Sequence, residues 1–235
     1  MNEPARLLVE SLFDENTSTF SHIVLDRSSG MCAIVDSVLD YDAAAGRTAT
    51  AGADRLIGRV RALGATVQWI LETHVHADHL SAAPYLQQAL GGRIAIGAHI
   101  TTVQQTFGAL FNADGSFARD GSQFDRLFED GDRFEIGSLP VTAWHTPGHT
   151  PACVTYVVED GDARAAFVGD TLFAGSIGRT DLPGGNYEQL MRSITEVLLP
   201  FGDDARVRPG HGPDTTIGRE RQTNPFLLEW AEKAR

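Results

Sequence analysis

The stretch Thr73-His74-Val75-His76-Ala77-Asp78-His79 decides how the rest of this chain is interpreted. It places three imidazoles and a carboxylate in six consecutive positions, directly after the apolar segment Val67–Glu72, which is predicted to be a strand. In extended backbone, side chains two residues apart lie on one face, so His74 and His76 can point at the same place. If a helix begins near Asp78, that carboxylate and the last imidazole turn towards a neighbouring place.

Three further candidate ligands follow singly, each at the predicted end of a strand and each directly after a glycine. They are His149 in Thr146-Pro147-Gly148-His149-Thr150, Asp170 in Val168-Gly169-Asp170-Thr171 and His211 in Pro209-Gly210-His211-Gly212. Glycine suits a backbone that turns sharply and lies close to a buried ion. Because burying so many imidazoles and carboxylates without a cation would be costly, the sequence predicts a metal site. Two adjacent groups of such ligands suit a pair of metal ions roughly 3.5–4 Å apart. The predicted ligands are His74, His76, Asp78, His79, His149, Asp170 and His211.

The composition limits the other functions open to the chain. Its 235 residues are 42% hydrophobic and 21% charged, which suits one domain spanning residues 1–235 with a buried core. A formal net charge of −12 repels phosphate backbones and anionic lipid, so we expect neither a nucleic-acid nor a membrane partner. Met1–Arg6 lacks the features of a signal peptide, and no apolar run reaches the roughly 20 residues of a membrane span. With only Cys32 and Cys153, the sequence fits a reducing compartment and a cytoplasmic protein.

The predicted elements run as strands, helices, strands and helices again. This order favours an α/β fold of two sheets packed face to face with helices outside. A doubly wound parallel sheet is the weaker alternative, because the first three strands are joined too tightly for crossovers. The predicted strands are Leu7–Phe13, Phe20–Asp26, Met31–Val38, Val67–Glu72, Arg93–Gly97, Phe134–Ile136, Val141–His145, Cys153–Val158, Ala165–Val168 and Arg206–Arg208. The predicted helices are Ala51–Leu63, Leu80–Leu90, Ile100–Phe111, a helix from the Asn186 cap through Leu199, and one in the tail Arg219–Arg235.

One segment and several other residues are not predicted to be metal ligands. The polar segment from Asn112 to Gly131 is predicted to be a surface loop, with a segment over a pocket mouth as the alternative. His22 and His99 lie outside the ligand pattern and are expected to be ordinary residues. His145 is either a residue that supports the metal ligands or an ordinary histidine of the core or surface. Both cysteines are expected to be small buried apolar residues.

The ligand pattern resembles that of the metallo-β-lactamase superfamily, whose signature is His-x-His-x-Asp-His followed by a later His, Asp and His. The resemblance covers nearly the whole chain and implies an αββα sandwich of two mixed sheets with a metal cleft at one edge. It implies one metal position formed by His74, His76 and His149, and another formed by Asp78, His79 and His211, with Asp170 between them.

Within the superfamily, four stretches are similar to the persulfide dioxygenases, also called sulfur dioxygenases. They are Asp36–Asp42, Glu72–Ala83, Ala118–Asp132 and His145–Thr155. The resemblance implies one Fe(II) per chain, held by the catalytic residues His74, His149 and Asp170. It further implies oxidation of glutathione persulfide by O₂ to sulfite and glutathione, a reaction of sulfide detoxification.

Two later stretches, Phe173–Asp181 and Pro209–Pro213, are more similar to glyoxalase II, a thioester hydrolase. They imply an alternative in which two metals (Zn, Fe or Mn) hydrolyse a glutathione thioester by a bridging hydroxide. Asp170 would bridge the two metals in that case. Only 24 residues follow His211, which we expect to be too few for the helical glutathione-binding domain of a full glyoxalase II, and we expect no rhodanese domain.

The resemblance also assigns supporting roles. In a dioxygenase the persulfide would bind as an anion through its terminal sulfur, because soft sulfur suits iron. His76, Asp78, His79 and His211 would then orient ligands and substrate. Arg179 is the expected cation for the carboxylates of glutathione, followed by Arg208, whereas surface charges are the favoured interpretation of Arg219 and Arg221. The partner is a small-molecule substrate, a homodimer is left open, and a non-catalytic metal or sulfur carrier is the third functional class.

Overall fold

In the described part of the chain, seventeen short strands form most of the framework that carries the candidate site. A computed structural model describes residues 5–76, 78–110, 112 and 117–233. Numbered along the chain, the strands are β1 Leu7–Asp14, β2 Thr19–Asp26, β3 Met31–Val35, β4 Val38–Asp42, β5 Arg47–Ala49, β6 Thr66–Leu71, β7 Leu80–Ser81, β8 Arg93–Gly97, β9 Arg126–Phe128, β10 Asp132–Ile136, β11 Leu139–His145, β12 Val154–Asp160, β13 Ala163–Gly169, β14 Leu172–Phe173, β15 Ser176–Ile177, β16 Arg206–Pro209 and β17 Thr215–Thr216.

The helices lie between the strands and at the C-terminal end of the described chain. They are α1 Ala51–Ala62, α2 Ala83–Leu90, α3 Ile100–Leu110, α4 Tyr187–Arg192, α5 Ile217–Thr223 and α6 Pro225–Lys233. A π-helical turn, Ser193–Leu198, and a 3₁₀ turn, Leu199–Phe201, continue α4. Asn186 caps α4 as predicted, since its side-chain oxygen accepts a hydrogen bond from the backbone N–H of Gln189 at 2.9 Å. Among the residues that the structure describes, none of the helices is both long and apolar enough to cross a lipid bilayer.

Two mixed six-stranded sheets carry the fold. In the first sheet the strand order is β1-β2-β3-β6-β8-β9, with antiparallel pairing from β1 to β3 and parallel pairing from β3 to β9. In the second the order is β10-β11-β12-β13-β16-β17, and only β13 and β16 pair in parallel. Tight antiparallel connections at the start of both sheets exclude the doubly wound alternative.

The two sheets pack face to face and bury the central core between them. Residues of both inner faces share this core, including Val35 and Leu71 of the first sheet with Tyr156 and Phe167 of the second. The outer face of the first sheet packs against α1 and α2, and that of the second packs against α4 and α6. The order of layers is therefore helix, sheet, sheet, helix, which confirms the predicted αββα sandwich.

Two predicted elements begin or end elsewhere in the structure. The predicted strand Met31–Val38 is divided, because Asp36 adopts a left-handed conformation with φ of 52° between β3 and β4. The predicted helix Leu80–Leu90 begins only at Ala83, because Leu80–Ser81 first pairs with β4. Pro84 then occupies the first turn of α2, where its missing N–H needs no partner.

The segment from Asn112 to Gly131 is also more structured than a plain loop. It contains β9, which pairs in parallel with β8 at the edge of the first sheet. Residues 111 and 113–116 of this region lie outside the described part of the chain. The prediction missed β9 because three residues at a sheet edge carry too little apolar periodicity to distinguish a strand from a loop.

Candidate metal centre

The candidate ligands follow the carboxyl ends of four strands that meet at one edge of the sandwich. The histidine-rich stretch follows β6, His149 follows β11, Asp170 follows β13 and His211 follows β16. Strands β11, β13 and β16 run in the same direction, so their carboxyl ends meet at one edge of the second sheet. The fold therefore gathers side chains that are far apart in sequence, as the glycine-preceded motifs predict.

The first group of ligand atoms joins two imidazoles and one carboxylate. One atom each of His74, His149 and Asp170 lies within 4.8 Å of the other two. His149 Nε2 is 3.7 Å from Asp170 Oδ2, and the rings of His74 and His149 are nearly perpendicular with centroids 5.0 Å apart. Both histidines are buried, and the three side chains face one point from two different sheets.

The second group lies beside the first. Asp78, His79 and His76 bring one ligand atom each within 4.8 Å of one another. His211 Nε2 lies 3.4 Å from Asp78 Oδ2 and 3.6 Å from Asp170 Oδ2, so Asp170 stands between the two groups. Thr19 at the tip of the β1–β2 hairpin donates a hydrogen bond to Asp78 Oδ2 at 3.0 Å.

Hydrogen bonds at Nδ1 determine which ring nitrogen each histidine offers. Backbone carbonyls accept from the Nδ1 atoms of His79, His149 and His211, at distances of 3.0, 2.8 and 2.8 Å. His74 Nδ1 is 2.9 Å from the Thr73 hydroxyl, which itself donates to Asp36, so His74 is the donor of that pair. All four rings therefore carry their proton on Nδ1 and keep an unprotonated Nε2 for a ligand.

These unprotonated nitrogens fit a bound cation. His79 Nε2 is buried and has no hydrogen-bond partner within the described ranges, which is costly unless another ligand reaches it. His211 Nε2 lies close to the carboxylates of Asp78 and Asp170, and a cation held among these three side chains would interact favourably with all of them. Imidazole nitrogens and carboxylate oxygens are donors that suit divalent transition metals.

His76 differs from the other four imidazoles. Its Nε2 lies 3.1 Å from Glu72 Oε2 and 3.3 Å from Asp36 Oδ1, and both carboxylates are buried. Ionised carboxylates only accept hydrogen bonds, so this Nε2 carries a proton. The resemblance implies a metal position formed by His74, His76 and His149, but in the structure His76 does not belong to the ligand group of His74 and His149. The sequence-based expectation relied on extended backbone at these positions, but β6 ends at Leu71.

The pKa shifts of the site separate the two kinds of histidine. Burial and then the neighbouring imidazoles hold the pKa of His74 well below its usual value. Burial likewise raises the pKa of Asp170 against the opposing charge of nearby imidazoles. Burial also acts to lower the pKa of His76, but hydrogen bonds and charge from Asp36 and Glu72 outweigh it and raise that pKa well above its usual value. A cation at the first group would favour ionised Asp170 and neutral His74.

Glycines allow the close backbone approach that the motifs predict. Gly169 has a φ of 50°, and a side chain there would collide with Thr73 beside the ring of His74. A Cβ at Gly210 would lie 2.6 Å from Asp170 Oδ1. Side chains at these two positions would therefore displace candidate ligands.

Arg179 contacts a candidate ligand through its backbone carbonyl and not through its guanidinium. Its carbonyl oxygen is the acceptor for His149 Nδ1. Its guanidinium pairs with Asp181 through bonds of 2.7 and 2.8 Å, and both side chains are exposed. The weaker arginine candidates are also paired in part, Arg208 with Asp214 and Arg221 with Asp203.

An apolar cavity of about 300 Å³ borders the histidines. Its lining includes Val75, Leu80, Ile96 and Phe124 beside His74, His76 and His79. Phe124 comes from the segment 112–131, so part of that segment reaches the cavity wall, as the alternative interpretation of the segment expects.

Sequence reasoning gave no role to three residues that organise the site: Asp36, Glu72 and Thr73. Glu72 lies four positions before His76, and Asp36 follows a strand, but neither position has a spacing that marks a ligand. His145 stacks on His99 with centroids 4.0 Å apart and lies in none of the metal-ligand groups found in the described chain. Both cysteines are buried and free, as expected, and Cys153 Sγ accepts a hydrogen bond from the Thr150 backbone.

The chain belongs to the metallo-β-lactamase superfamily of metallo-hydrolases and oxidases. The model of this family, "Metallo-beta-lactamase superfamily", matches residues 18–211 and so spans all seven predicted ligands. The superfamily binds metal ions, and the clustered ligand atoms fit that property.

Three relatives of this chain have hydrolase names. The chain is 60% identical over 200 residues to the "Probable metallo-hydrolase" of Burkholderia pseudomallei, covering 82% of this chain and 68% of the relative. It is 44% identical over 237 residues to the "Beta-lactamase hydrolase-like protein" of Agrobacterium fabrum, covering 96% of this chain but only 53% of that relative. It is 39% identical over 184 residues to "Hydroxyacylglutathione hydrolase GloC" of Haemophilus influenzae, covering 74% and 82% respectively.

Solved structures share the fold. ETHE1 from Myxococcus xanthus superposes with a TM-score of 0.74 and 27% identity, covering 97% of this chain and 91% of that one. TTHA1623 in a di-iron-bound form gives a TM-score of 0.69 and 28% identity, covering 93% and 100%. These similarities fit the resemblance to persulfide dioxygenases with glyoxalase II-like features in the C-terminal part.

Proposed function

We propose that the protein binds one Fe(II) per chain through His74, His149 and Asp170 and oxidises glutathione persulfide with O₂. The observation that carries this proposal is the first ligand group, in which two unprotonated imidazole nitrogens and one carboxylate converge. Two imidazoles and one carboxylate on one face of an iron ion leave coordination positions open, the arrangement expected of iron that activates oxygen.

The reaction consumes one persulfide, one O₂ and one water, and yields one glutathione and one sulfite. Iron, when bound, supplies open positions for the persulfide sulfur and O₂ and the electrons that activate O₂. The protein supplies rigidity: the Arg179 carbonyl and the Thr73 hydroxyl fix the rings of His149 and His74 through their Nδ1 atoms. Asp78, His79 and His211 then orient the ligands and the substrate.

Substrate recognition requires a cation, because glutathione carries carboxylates and the chain carries a net charge of −12. Arg179 remains our candidate, since its carbonyl contacts His149 and its guanidinium is exposed. Substrate carboxylates would compete with Asp181 for that guanidinium. Because the chain spans about half of its Agrobacterium relative, the activities of longer relatives enter here only as proposals.

A second candidate function is hydrolysis of a glutathione thioester at two metal ions. One observation favours it: His211 Nε2 lies close to both Asp78 and Asp170, which supports a second metal position beside the first. The similarity to GloC and to a di-iron protein supports the same candidate. In that case Asp170 would help to hold both metal ions, and the ions would supply a water of lowered pKa as the nucleophile for the thioester carbonyl.

An oxygen electrode separates the two candidates. The protein, reconstituted anaerobically with Fe(II), is mixed with glutathione persulfide, and oxygen uptake and sulfite are recorded. A parallel sample receives lactoylglutathione, and loss of the thioester is followed. We expect persulfide-dependent oxygen uptake with equal sulfite formation and slow thioester loss. Thioester hydrolysis without oxygen uptake would contradict the proposed persulfide oxidation and favour the second candidate function.

A further inference from the structure

We propose that Glu72, acting with Asp36, is a positioning residue that holds His76 away from the first metal position. This inference rests on the proposed function, because it explains how that position keeps only three protein ligands. The consequence is that Glu72 preserves open coordination positions for the persulfide and O₂. Without it, His76 is free to become a metal ligand.

The contacts of His76 carry the inference. Its Nε2 faces Glu72 Oε2 at 3.1 Å and Asp36 Oδ1 at 3.3 Å, and these three residues form a group of their own within 4.8 Å. His76 is missing from the group that contains His74, His149 and Asp170, although the centroids of the His74 and His76 rings are only 4.2 Å apart. The His76 ring is therefore close enough to reach the first metal position, and its orientation keeps it out of that position.

The hydrogen bond made by the His76 ring supports the same conclusion. The other four imidazoles of the centre are hydrogen-bonded through Nδ1. His76 is instead hydrogen-bonded through Nε2, with Glu72 Oε2 as the acceptor at 3.1 Å. This contact turns Nε2 towards the two buried carboxylates and away from the first metal position.

Both carboxylates are themselves held in place. Glu72 Oε1 accepts from the Ser81 hydroxyl at 2.7 Å and from the Ser37 hydroxyl at 3.5 Å. Asp36 accepts from the backbone N–H and the hydroxyl of Thr73 at 2.7 and 2.8 Å. With 3% and 2% of their surfaces exposed, Glu72 and Asp36 have no room to turn towards solvent. The pair is a fixed acceptor for His76.

Three variants test this role. Glu72→Leu removes the acceptor and keeps a similar volume, whereas Glu72→Gln keeps an oxygen that can accept from His76. Ser81→Ala is the matched control, because it removes a hydrogen bond of Glu72 without removing any contact of His76. Each variant and the wild-type protein are loaded anaerobically with Fe(II) and crystallised, and iron per chain is measured.

We expect His76 to stay on Glu72 in the iron-loaded wild type, Glu72→Gln and Ser81→Ala. In Glu72→Leu we expect a nitrogen of His76 to bind iron at about 2.1 Å. Persulfide-dependent oxygen uptake by that variant should fall roughly tenfold or more, the range for losing a group that supports a metal ligand, and Glu72→Gln should restore most of it.

Two results would overturn the inference: iron-bound His76 in the loaded wild type, or unbound His76 in loaded Glu72→Leu. If Glu72→Leu does not fold, the wild-type crystal alone decides. The proposed function fails by a different result, namely an absence of persulfide-dependent oxygen uptake in the iron-loaded wild type, whatever the position of His76.

Discussion

Asp170 is the residue on which both candidate reactions depend. It lies 3.7 Å from His149 Nε2 and 3.6 Å from His211 Nε2, between the two groups of imidazoles. Burial raises its pKa, and a cation in the cleft would favour the ionised carboxylate. His211, in contrast, is not one of the three candidate ligands of the first group, and this asymmetry distinguishes the two candidate chemistries.

We therefore predict different outcomes for substitutions at these two positions. Asp170→Ala should lose metal binding and every activity, because the first group loses its carboxylate and His211 loses one of its two carboxylate neighbours. His211→Ala should keep about one iron per chain and retain oxygen uptake within roughly tenfold, as expected for a residue outside the three iron ligands. Iron analysis and an oxygen electrode measure both effects. Loss of iron in His211→Ala would place His211 among the ligands of the retained ion.

At this scale, the sequence predicts which residues meet but not how each ring is oriented. The crowded histidines and the glycine-preceded ligands identify the residues that converge, since few other arrangements of such groups can be buried. The orientation of His76 was not predictable, because it depends on Asp36, a residue 40 positions earlier that only tertiary folding brings near. Local alternation of side chains does not extend past the end of β6 at Leu71.

At the scale of elements, strands place the ligands and their ends were largely predictable. Runs of β-branched residues bounded by glycine mark β6, β12 and β13, which the structure gives within two residues of the predicted bounds. Less predictable was the break at Asp36, where a non-glycine residue adopts a φ of 52°. Its side chain accepts two hydrogen bonds from Thr73, so tertiary contacts stabilise a conformation that local preference disfavours.

Helix α1 offers a test of element stability that is independent of the metal centre. Gly58 lies inside this helix on its exposed side, and a Cβ there would meet nothing within 4 Å. Gly58→Ala should therefore raise the free energy of unfolding by about 0.5–1 kcal/mol, because alanine loses less backbone entropy in a helix. Urea unfolding followed by circular dichroism measures the change. A lower free energy of unfolding would show that α1 does not present Gly58 to solvent.

At the scale of the whole molecule, the core between the two sheets includes a buried histidine. His22 of β2 is buried between the sheets, with its ring 5.3 Å from that of Phe167 in β13. The Ser11 hydroxyl on the neighbouring strand is hydrogen-bonded to the Nδ1 of His22 at 2.8 Å. Burial lowers the pKa of His22 to about 4 from a usual value of 6.5. The sandwich therefore tolerates this ring only in its neutral form.

This gives a pH dependence with a defined sign. As the pH falls below 6.5, His22 becomes protonated in the unfolded chain, whereas in the folded chain it stays neutral until about pH 4. The free energy of unfolding therefore decreases between pH 6.5 and about pH 4. The loss from this residue is at most roughly 3–4 kcal/mol, since the pKa falls from 6.5 to about 4 and a pKa difference of one corresponds to about 1.4 kcal/mol. Urea unfolding of the metal-free protein should show a smaller loss in His22→Leu.

The arrangement of the sandwich was predictable because the order of elements and the tight early hairpins admit few topologies. The pairing of the edge strand β9 was not predictable, since it is set by contact with β8 and not by its own three residues.

The central claim, that one iron held by His74, His149 and Asp170 carries out persulfide oxidation, is tested most directly by an iron titration. Fe(II) is added stepwise to the metal-free protein under anaerobic conditions, and oxygen uptake with glutathione persulfide is measured at each step. We predict that the rate rises linearly and reaches its maximum at about one iron per chain. A maximum at about two irons per chain, or no oxygen uptake at any loading, would contradict the account.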